Sequence, residues 1–308
     1  MKVESCQSAR LILNGKSAQF PEVREAVFTL RDSGFDLGVV VTWEAGDARR
    51  FACQSVEAGV ERIIAGGGDG TINEVVNGLM SLPEDQRVPL GVLPLGSAND
   101  FANGVGLPLE PLPALKMAMN ALPVETDVVC SGQQYFVNMA SCGIGAEVTS
   151  TTPEPLKRFL GGGAYSLMGA LKAWSYQPYQ GQLRWPEGHS RAPLFLLAVA
   201  NGTQAGGGQC LAPSARLDDG LLDVLIVRDF TSLAEMRQAL AEIEALPNSG
   251  DFVTYFQTTQ LHFDGDGPLP VTLDGEPFHI DHFEATIESR AIRMLLPPAC
   301  SLLSTKRA

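Results

Sequence analysis

The sequence predicts two fold classes in one chain, an α/β region followed by a β-rich region. Strands and amphipathic helices alternate through the first third of the 308 residues, and a glycine-rich turn leads from a strand into a helix at residues 66–71. From residue 124 onward, strand-like runs separated by turn signals follow one another instead, at residues 127–130, 135–139, 194–200, 221–227, 252–263, 271–273 and 283–287. The first pattern predicts a parallel sheet covered by helices, and the second predicts an antiparallel sandwich or barrel-like domain.

The first third reads as strand, helix, strand, helix, strand. Strands are predicted at residues 11–14, at residues 37–43 and around Ile63 and Ile64, just before the glycine-rich turn, and helices at residues 21–31 and 47–58. A fourth strand is predicted at residues 89–93. In the first helix, apolar side chains recur on one face: Val23, Ala26, Val27 and Leu30. Ligands of such a sheet bind at the carboxyl ends of its strands, so the residues that follow those ends are expected to converge.

The glycine-rich turn has the composition of a phosphate site. Its glycines let backbone amides approach an anion, and the helix that follows adds a favourable field; they are Gly66, Gly67, Gly68 and Gly70. Thr71 is placed to cap that helix. Asp69 would repel a bare phosphate, which indicates that a divalent metal arrives with the ligand. An ordinary strand-to-helix turn is the alternative, but it would not need four glycines around one Asp.

A dinucleotide-binding dehydrogenase is the main rival for this turn. Gly66 and Gly68 imitate part of the GxGxxG fingerprint, but the third glycine position is occupied by Thr71. The turn follows the third strand rather than the first, and the next strand ends without a ribose-binding carboxylate. These differences exclude the dehydrogenase interpretation.

Composition excludes several other classes. The net charge of −13 argues against a nucleic-acid binder and against recruitment to anionic membranes by overall charge. The longest apolar run, residues 194–200, is far shorter than a membrane-spanning helix. The start of the chain has no apolar signal segment, so a cytoplasmic location is expected. The six cysteines show no metal-binding spacing and are interpreted as buried or incidental thiols.

Three further segments carry polar or helical signals. Ser97, Asn99 and Asp100 fit either a capped helix start or a second polar wall for the ligand. Residues 153–174 fit two short helices with a glycine joint at residues 161–163, or a mobile lipid-access flap. Ser232 and Glu235 form a capping box before a structural helix.

Five motifs follow one another along the chain: GGGDGTINE at 66–74, PLGSANDF at 94–101, NGTQAGGG at 201–208, DDGLLDV at 218–224 and LDGEP at 273–277. Together they resemble the diacylglycerol kinase catalytic family, and most closely the bacterial YegS-type lipid kinases. The resemblance runs from residue 11 nearly to the C-terminus. NAD kinases share the GGDG turn, so the first motif alone would be less specific.

The resemblance implies a domain organisation and a nucleotide site. An α/β nucleotide-binding domain, similar to those of NAD kinases and diacylglycerol kinases, is expected at residues 1–123. A β-rich sandwich domain for lipid and metal follows at residues 124–292, with the active site in the cleft between them, and residues 293–308 return to the first domain. The expected ATP contacts are Thr42, Gly66, Gly67, Gly68, Asp69, Gly70, Thr71, Ile72, Asn73, Glu74 and Ser97.

Catalytic and metal roles follow from the same resemblance. Asp69 is expected to hold Mg²⁺ beside ATP, and Glu276 to accept the proton of the acceptor hydroxyl, with Asp274 as its helper or substitute. The alternative for Asp274 and Glu276 is a solvated hairpin turn without a catalytic role. The carboxylate of Asp219 and the backbone oxygens of Arg216 and Leu221 are expected to bind a structural Mg²⁺ or Ca²⁺. Thr203 departs from its relatives, which tend to carry arginine there.

The activity implied is an ATP-dependent lipid kinase that phosphorylates a hydroxyl of a glycerolipid, of diacylglycerol or phosphatidylglycerol type. Its partners would be MgATP and a lipid at the inner membrane surface, with no nucleic acid. A kinase for a sphingoid or soluble alcohol, or a non-catalytic nucleotide or lipid sensor, is the alternative. Retention of Asp69, Asp274 and Glu276 favours catalysis over the sensor.

Overall fold

The computed structural model describes residues 8–143 and 178–304 and consists of two compact units. The predicted helices and glycine joint at residues 153–174 lie outside the described residues. The first unit comprises Met1–Val128, Leu217–Asp219 and Glu288–Ala308; the second comprises Val129–Arg216 and Gly220–Ile287. The domain boundaries expected at residues 123 and 292 stay a prediction.

The first unit contains the predicted parallel sheet. Its strands lie in the order β4, β3, β1, β2, and each neighbouring pair is parallel. Leu13 at the end of β1 pairs with Val41 on one side and with Gly66 on the other, so three carboxyl ends lie at one edge. The strands are β1 (Ala9–Leu13), β2 (Leu37–Val41), β3 (Arg62–Gly67) and β4 (Leu90–Pro94).

Helices of the first unit bury the apolar faces that the sequence predicts. In the first helix Val23, Ala26, Val27 and Leu30 are all buried, and Pro stands at its first position, where the missing N–H costs no hydrogen bond. The helices are α1 (Pro21–Asp32), α2 (Asp47–Glu57), α3 (Asp69–Met80), α4 (Asp100–Gly104) and α5 (Pro111–Asn120). One core of this unit joins sheet and helix residues, including Leu11, Leu30, Ile64, Leu93 and Leu115.

The second unit is built on antiparallel strands, as predicted. Its main strands lie in the order β14, β13, β10, β7, β15, β16, and β5 and β16 each continue into the first unit. The strands are β5 (Pro123–Ser131), β6 (Gln134–Phe136), β7 (Met139–Gly143), β8 (Gly181–Trp185), β9 (Gly188–Ser190), β10 (Leu194–Ala200), β11 (Gln204–Ala205), β12 (Gln209–Cys210), β13 (Leu222–Arg228), β14 (Val253–Thr258), β15 (Gln260–Leu273) and β16 (Glu276–Leu295).

Strand β10 shows why this unit has an uninterrupted apolar run. Leu197 and Val199 belong to one hydrophobic core, whereas Leu196 and Ala198 belong to another on the opposite face. A strand buried on both faces needs apolar residues at every position. The second core is closed by helix α6 (Leu233–Glu244), which begins with the predicted capping box.

Two predicted strands are wrong in detail. Residues 135–139 were expected to form one strand, but β6 ends at Phe136 and β7 starts at Met139. Residues 252–263 form parts of β14 and β15, which are separated at Thr259.

In the described part of the chain, no helix combines the length and apolar character needed to cross a membrane. The described cysteines are free thiols: Cys53, Cys130, Cys142, Cys210 and Cys300.

Candidate functional site

The glycine-rich turn connects β3 to α3 in a space too tight for larger residues. A Cβ on Gly67 would lie 2.2 Å from the hydroxyl oxygen of Thr71, and one on Gly68 would lie 3.1 Å from the Cα of Gly96. Glycine at these positions therefore lets two backbone segments come together. The N-terminus of α3 follows directly, and the dipole of the helix favours an anion there.

The predicted cap by Thr71 is wrong. The helix begins at Asp69, with Gly68 as its N-cap, and no side chain caps it among the described residues. Thr71 is already inside the first turn, where its N–H donates to the carbonyl of Gly68 at 3.0 Å. Because Asp69, Gly70 and Thr71 adopt helical geometry, the helix starts three residues earlier than an N-cap at Thr71 would place it.

Asp69 joins the glycine-rich turn to the PLGSANDF segment. Its two carboxylate oxygens accept hydrogen bonds from the backbone N–H groups of Asp100 and Phe101, each at 3.2 Å. Burial raises the pKa of Asp69, hydrogen bonding from the Phe101 N–H opposes the rise, and the nearby Asp100 adds to it. The Asp69 side chain thus accepts the first free N–H groups of α4.

This contact explains how the PLGSANDF segment starts a helix. A helix does start at Asp100, but its N–H groups are satisfied by Asp69 rather than by its own preceding side chains. Asn99 has a left-handed backbone (φ 52°), and its amide closes on Gly96, accepting from the N–H at 2.8 Å and donating to the carbonyl at 2.9 Å. Ser97 is exposed beside this turn.

A pocket of about 540 Å³ opens at the carboxyl ends of the parallel strands. Asn14, Thr42 and Thr71 line it, as expected of residues that follow the strand ends, and Glu74 lies beside them. Residues 66–70 and 96–99, which were expected to converge there too, do not line the pocket. The N–H of Asn14 donates to the carbonyl of Gly66 at 2.8 Å, which fixes the end of β1 against the turn. The volume is within the range of small-molecule sites.

The remaining predicted nucleotide residues of α3 have different surroundings. Ile72 and Asn73 are buried, and Asn73 accepts a hydrogen bond from the Asn77 amide at 3.1 Å. Glu74 accepts a hydrogen bond from the N–H of Ala48 at 3.0 Å, at the start of α2. The side chains of Ile72 and Asn73 therefore stabilise the unit, and Glu74 holds α2 against α3.

The LDGEP motif forms a two-residue hairpin between β15 and β16. Leu273 pairs with Glu276, while Asp274 and Gly275 occupy the turn with positive φ values of 49° and 87°. Asp-Gly suits such a turn because both positions require a left-handed backbone. Glu276 is exposed, whereas Asp274 is buried. The solvated-turn interpretation is therefore wrong for Asp274.

Asp274 is held by three backbone donors. Its carboxylate accepts from the N–H groups of Val137, Asn138 and Met139 at 3.0, 2.9 and 3.0 Å. The N–H of Asp274 in turn donates to the carbonyl of Met139 at 3.0 Å. This arrangement explains why the chain is not extended between β6 and β7.

Sequence reasoning missed two asparagines that join this hairpin to the NGTQAGGG motif. Asn201 donates through its amide to the carbonyl of Val137 at 2.9 Å, and Asn138 donates to the carbonyl of Gln204 at 2.9 Å. A Cβ on Gly202 would lie 2.2 Å from the Asn138 amide oxygen. The Asn-Gly pair at the start of the motif was the available signal.

The predicted metal ligands lie in the loop that leads into β13. Arg216, Asp219 and Leu221 offer one carboxylate and two backbone carbonyls, a donor set of the hard oxygen type that Mg²⁺ and Ca²⁺ accept. Within residues 8–143 and 178–304, no group of three or more His, Cys, Asp or Glu side chains is placed to hold a metal ion. A metal here therefore needs the backbone oxygens of the loop.

The neighbouring carboxylates of this loop have structural partners. Asp218 accepts from the N–H and hydroxyl of Ser304, both at 2.8 Å. Asp223 is buried and accepts hydrogen bonds from the Tyr255 hydroxyl and from the Gln257 amide. Asp223 is therefore a buried, hydrogen-bonded carboxylate and not a solvent-exposed one.

Comparison with known proteins follows the two-part organisation of the chain. The diacylglycerol kinase catalytic domain family matches residues 8–131, and the YegS C-terminal NAD kinase beta sandwich-like domain family matches residues 138–296. A crystal structure of a diacylglycerol kinase from Bacillus anthracis str. Sterne is similar with a TM-score of 0.73 and 22% identity, covering 96% of this chain and 98% of that one. The predicted class of an α/β domain followed by a β-sandwich domain is confirmed.

Curated relatives are similar over nearly the whole length. A Chromohalobacter salexigens protein named "Probable lipid kinase YegS-like" is 58% identical over 294 residues, which cover 96% of this chain and 94% of the relative. A Shewanella frigidimarina protein of the same name is 40% identical over 295 residues, with 96% and 95% covered. The resemblance inferred from five motifs is confirmed, and the chain belongs to the YegS-like family, whose first part is a diacylglycerol kinase catalytic domain.

Proposed function

We propose that this chain is an ATP-dependent lipid kinase that phosphorylates a hydroxyl of a glycerolipid, of diacylglycerol or phosphatidylglycerol type. The observation that carries the proposal is the pocket at the strand ends of the first unit, where Thr42, Thr71 and Glu74 lie beside the glycine-rich turn. The names of the full-length relatives supply the acceptor class, since they are called lipid kinases.

Nucleotide binding is assigned to the first unit. The backbone N–H groups of residues 66–71 and the start of α3 would hold the phosphates. Mg²⁺, when bound, neutralises charge on the phosphates. Asp69 is the carboxylate assigned to it, directly or through water, because an ionised carboxylate can accept about four contacts and the N–H groups of Asp100 and Phe101 take one on each oxygen.

Proton transfer is assigned to Glu276 in the second unit. The lipid hydroxyl oxygen bonds to the γ-phosphorus, its proton passes to the Glu276 carboxylate, and the bond from that phosphorus to ADP breaks. Exposure of Glu276 supports this role, because a substrate can reach it. The burial of Asp274 under three N–H donors supports a structural role for that carboxylate.

Two further assignments complete the proposal. A structural Mg²⁺ or Ca²⁺ is assigned to the carboxylate of Asp219 with the backbone oxygens of Arg216 and Leu221, because all are hard oxygen donors. The enzyme is assigned to the cytoplasm with peripheral contact at the inner membrane surface, because an acyl lipid substrate stays in the bilayer while ATP is dissolved in the cytosol.

The test is a radiolabelled ATP assay with dispersed diacylglycerol, phosphatidylglycerol, sphingosine and a soluble alcohol, with Glu276→Gln as the matched control. The proposal is supported if the wild type transfers radiolabelled phosphate to a glycerolipid and Glu276→Gln does not. Label only in sphingosine or the soluble alcohol would move the protein to that acceptor class. Binding of ATP and lipid without any product would make it a sensor.

A further inference from the structure

One large aromatic side chain at the strand-end pocket is almost fully in water. The indole of Trp43 is 94% exposed, although it directly follows Thr42 and lines the same pocket as Thr71 and Glu74. Trp185, in contrast, packs against Phe256 with ring centroids 4.5 Å apart. The indole therefore offers a flat apolar face to any ligand that enters the pocket.

The backbone that carries Trp43 is fixed in place. Its N–H donates to the buried carboxylate of Asp47 at 2.8 Å, and the N–H of Glu44 donates to the same oxygen at 3.3 Å. Asp47 also pairs with Arg50, and Glu74 accepts from the N–H of Ala48. The indole is therefore presented from an ordered turn while its ring stays uncovered, which lowers the entropic cost of binding a flat ligand.

We propose that Trp43 is the stacking platform for the base of the nucleotide, an inference that rests on the proposed kinase function. A planar indole stacks on any nucleobase, so it supplies affinity with little discrimination between bases. The phosphate-binding turn and Trp43 line or adjoin the same pocket of about 540 Å³, which can take a group of nucleotide size.

A membrane contact is the other use of an exposed tryptophan, and the charges near Trp43 disfavour it. Glu44 and Glu74 line the same pocket, with Lys16 as the cation among its lining residues. The whole chain carries a net charge of −13. Anionic lipid would be repelled from this part of the surface, whereas the phosphates of a nucleotide would arrive with Mg²⁺ and its base is uncharged.

The experiment compares Trp43→Ala and Trp43→Phe with the wild type for three magnesium-loaded ligands: ATP, GTP and inorganic tripolyphosphate. Trp43→Ala is expected to raise the Kd of both nucleotides roughly 5- to 100-fold, the range of aromatic–base stacking. The Kd of tripolyphosphate is expected to stay unchanged, because it has no base. Trp43→Phe is expected to recover most of the nucleotide affinity.

Fluorescence provides a second readout. ATP is expected to quench indole emission in the wild type and to lose most of that effect in Trp43→Phe. The variants should unfold at the wild-type temperature without ligand, because a 94% exposed ring has little packing to lose.

Three results would overturn the inference. An equal rise in the Kd of ATP and of tripolyphosphate in Trp43→Ala would show that Trp43 maintains the shape of its turn and does not contact the base. Unchanged nucleotide affinity together with lost binding to phosphatidylglycerol vesicles would make it a membrane contact. A wild type that binds neither ATP nor tripolyphosphate would overturn the proposed function as well, so the two failures are distinguishable.

Discussion

The carboxylate of Asp274 accepts a hydrogen bond from the backbone N–H of Asn138 at 2.9 Å, between two further N–H donors. Two residues later, Glu276 is exposed at the first position of β16. The LDGEP motif therefore separates its two carboxylates into a buried one that organises the backbone and an accessible one suited to chemistry. Mutations at the two positions should have different signatures.

Asp274→Asn should destabilise the protein by about 2–4 kcal/mol, because the amide places an N–H₂ group against a backbone donor and leaves it unsatisfied. Urea unfolding measures the change. Glu276→Gln is the matched control and should unfold like the wild type. An unfolding free energy of Asp274→Asn equal to that of the wild type would contradict the structural role.

Glu276→Gln should lower kcat by roughly 10²- to 10⁴-fold, the usual contribution of a general base, because the amide keeps size and polarity but cannot accept the proton. Thermal stabilisation by MgATP should persist, since nucleotide binding is assigned to the first unit. Turnover at the wild-type rate would remove Glu276 from the mechanism.

MgATP at a hundred times its Kd should stabilise the wild type by about 2.7 kcal/mol. Asp69→Ala should abolish most of this shift, because Asp69 is assigned to the metal and holds the turn against Asp100 and Phe101. Each shift has to be measured against the same variant without ligand, since the substitution also removes these two hydrogen bonds. An undiminished shift in the variant would mean that the glycine-rich segment is only a turn.

The raised pKa of Asp69 predicts a pH dependence. Burial raises this pKa above its ordinary value of 3.8, so the folded state retains the proton where the unfolded chain has lost it. The stability contributed by protonated Asp69 is present below pH 3.8 and decreases as the pH rises through the folded-state pKa. Wild-type stability relative to Asp69→Ala should therefore fall across that window in urea unfolding. A difference that increases with pH would show the opposite shift.

Asp219→Ala should remove the response of the protein to divalent metal. Mg²⁺ or Ca²⁺ should raise the melting temperature of the metal-stripped wild type, and Asp219→Ala should show little of that rise because its carboxylate is the anionic ligand. Activity of the variant should be only partly rescued by excess metal. If the wild type has the same melting temperature with chelator and with metal, the metal site is excluded.

The parts of the fold that local patterns determine could be predicted from the sequence. Helix α1 was expected at residues 21–31 and ends at Asp32, because Val23, Ala26, Val27 and Leu30 mark its buried face directly. Helix α5 was missed, although Ala114, Leu115, Ala118 and Met119 are buried at helical spacing. Its signal was present in the sequence.

Features set by distant residues could not be predicted from the sequence. The break between β6 and β7 depends on Asp274, more than a hundred residues away, whose carboxylate captures the N–H groups of Val137 and Asn138. The start of α4 likewise depends on Asp69. Local propensity describes neither contact, because each one forms only after the chain has folded back on itself.

The first unit cannot complete its parallel sheet until the last part of β16 has been synthesised. Met294 pairs with Leu90 at the edge of the parallel sheet, Arg87 donates to the carbonyl of Ala291 at 2.8 Å, and Thr126 donates to that of Ile292 at 3.3 Å. Strand β4 therefore leaves the ribosome long before its outer neighbour exists. An unpaired strand edge can pair with other chains, so the nascent protein is exposed to aggregation until its final strand is translated.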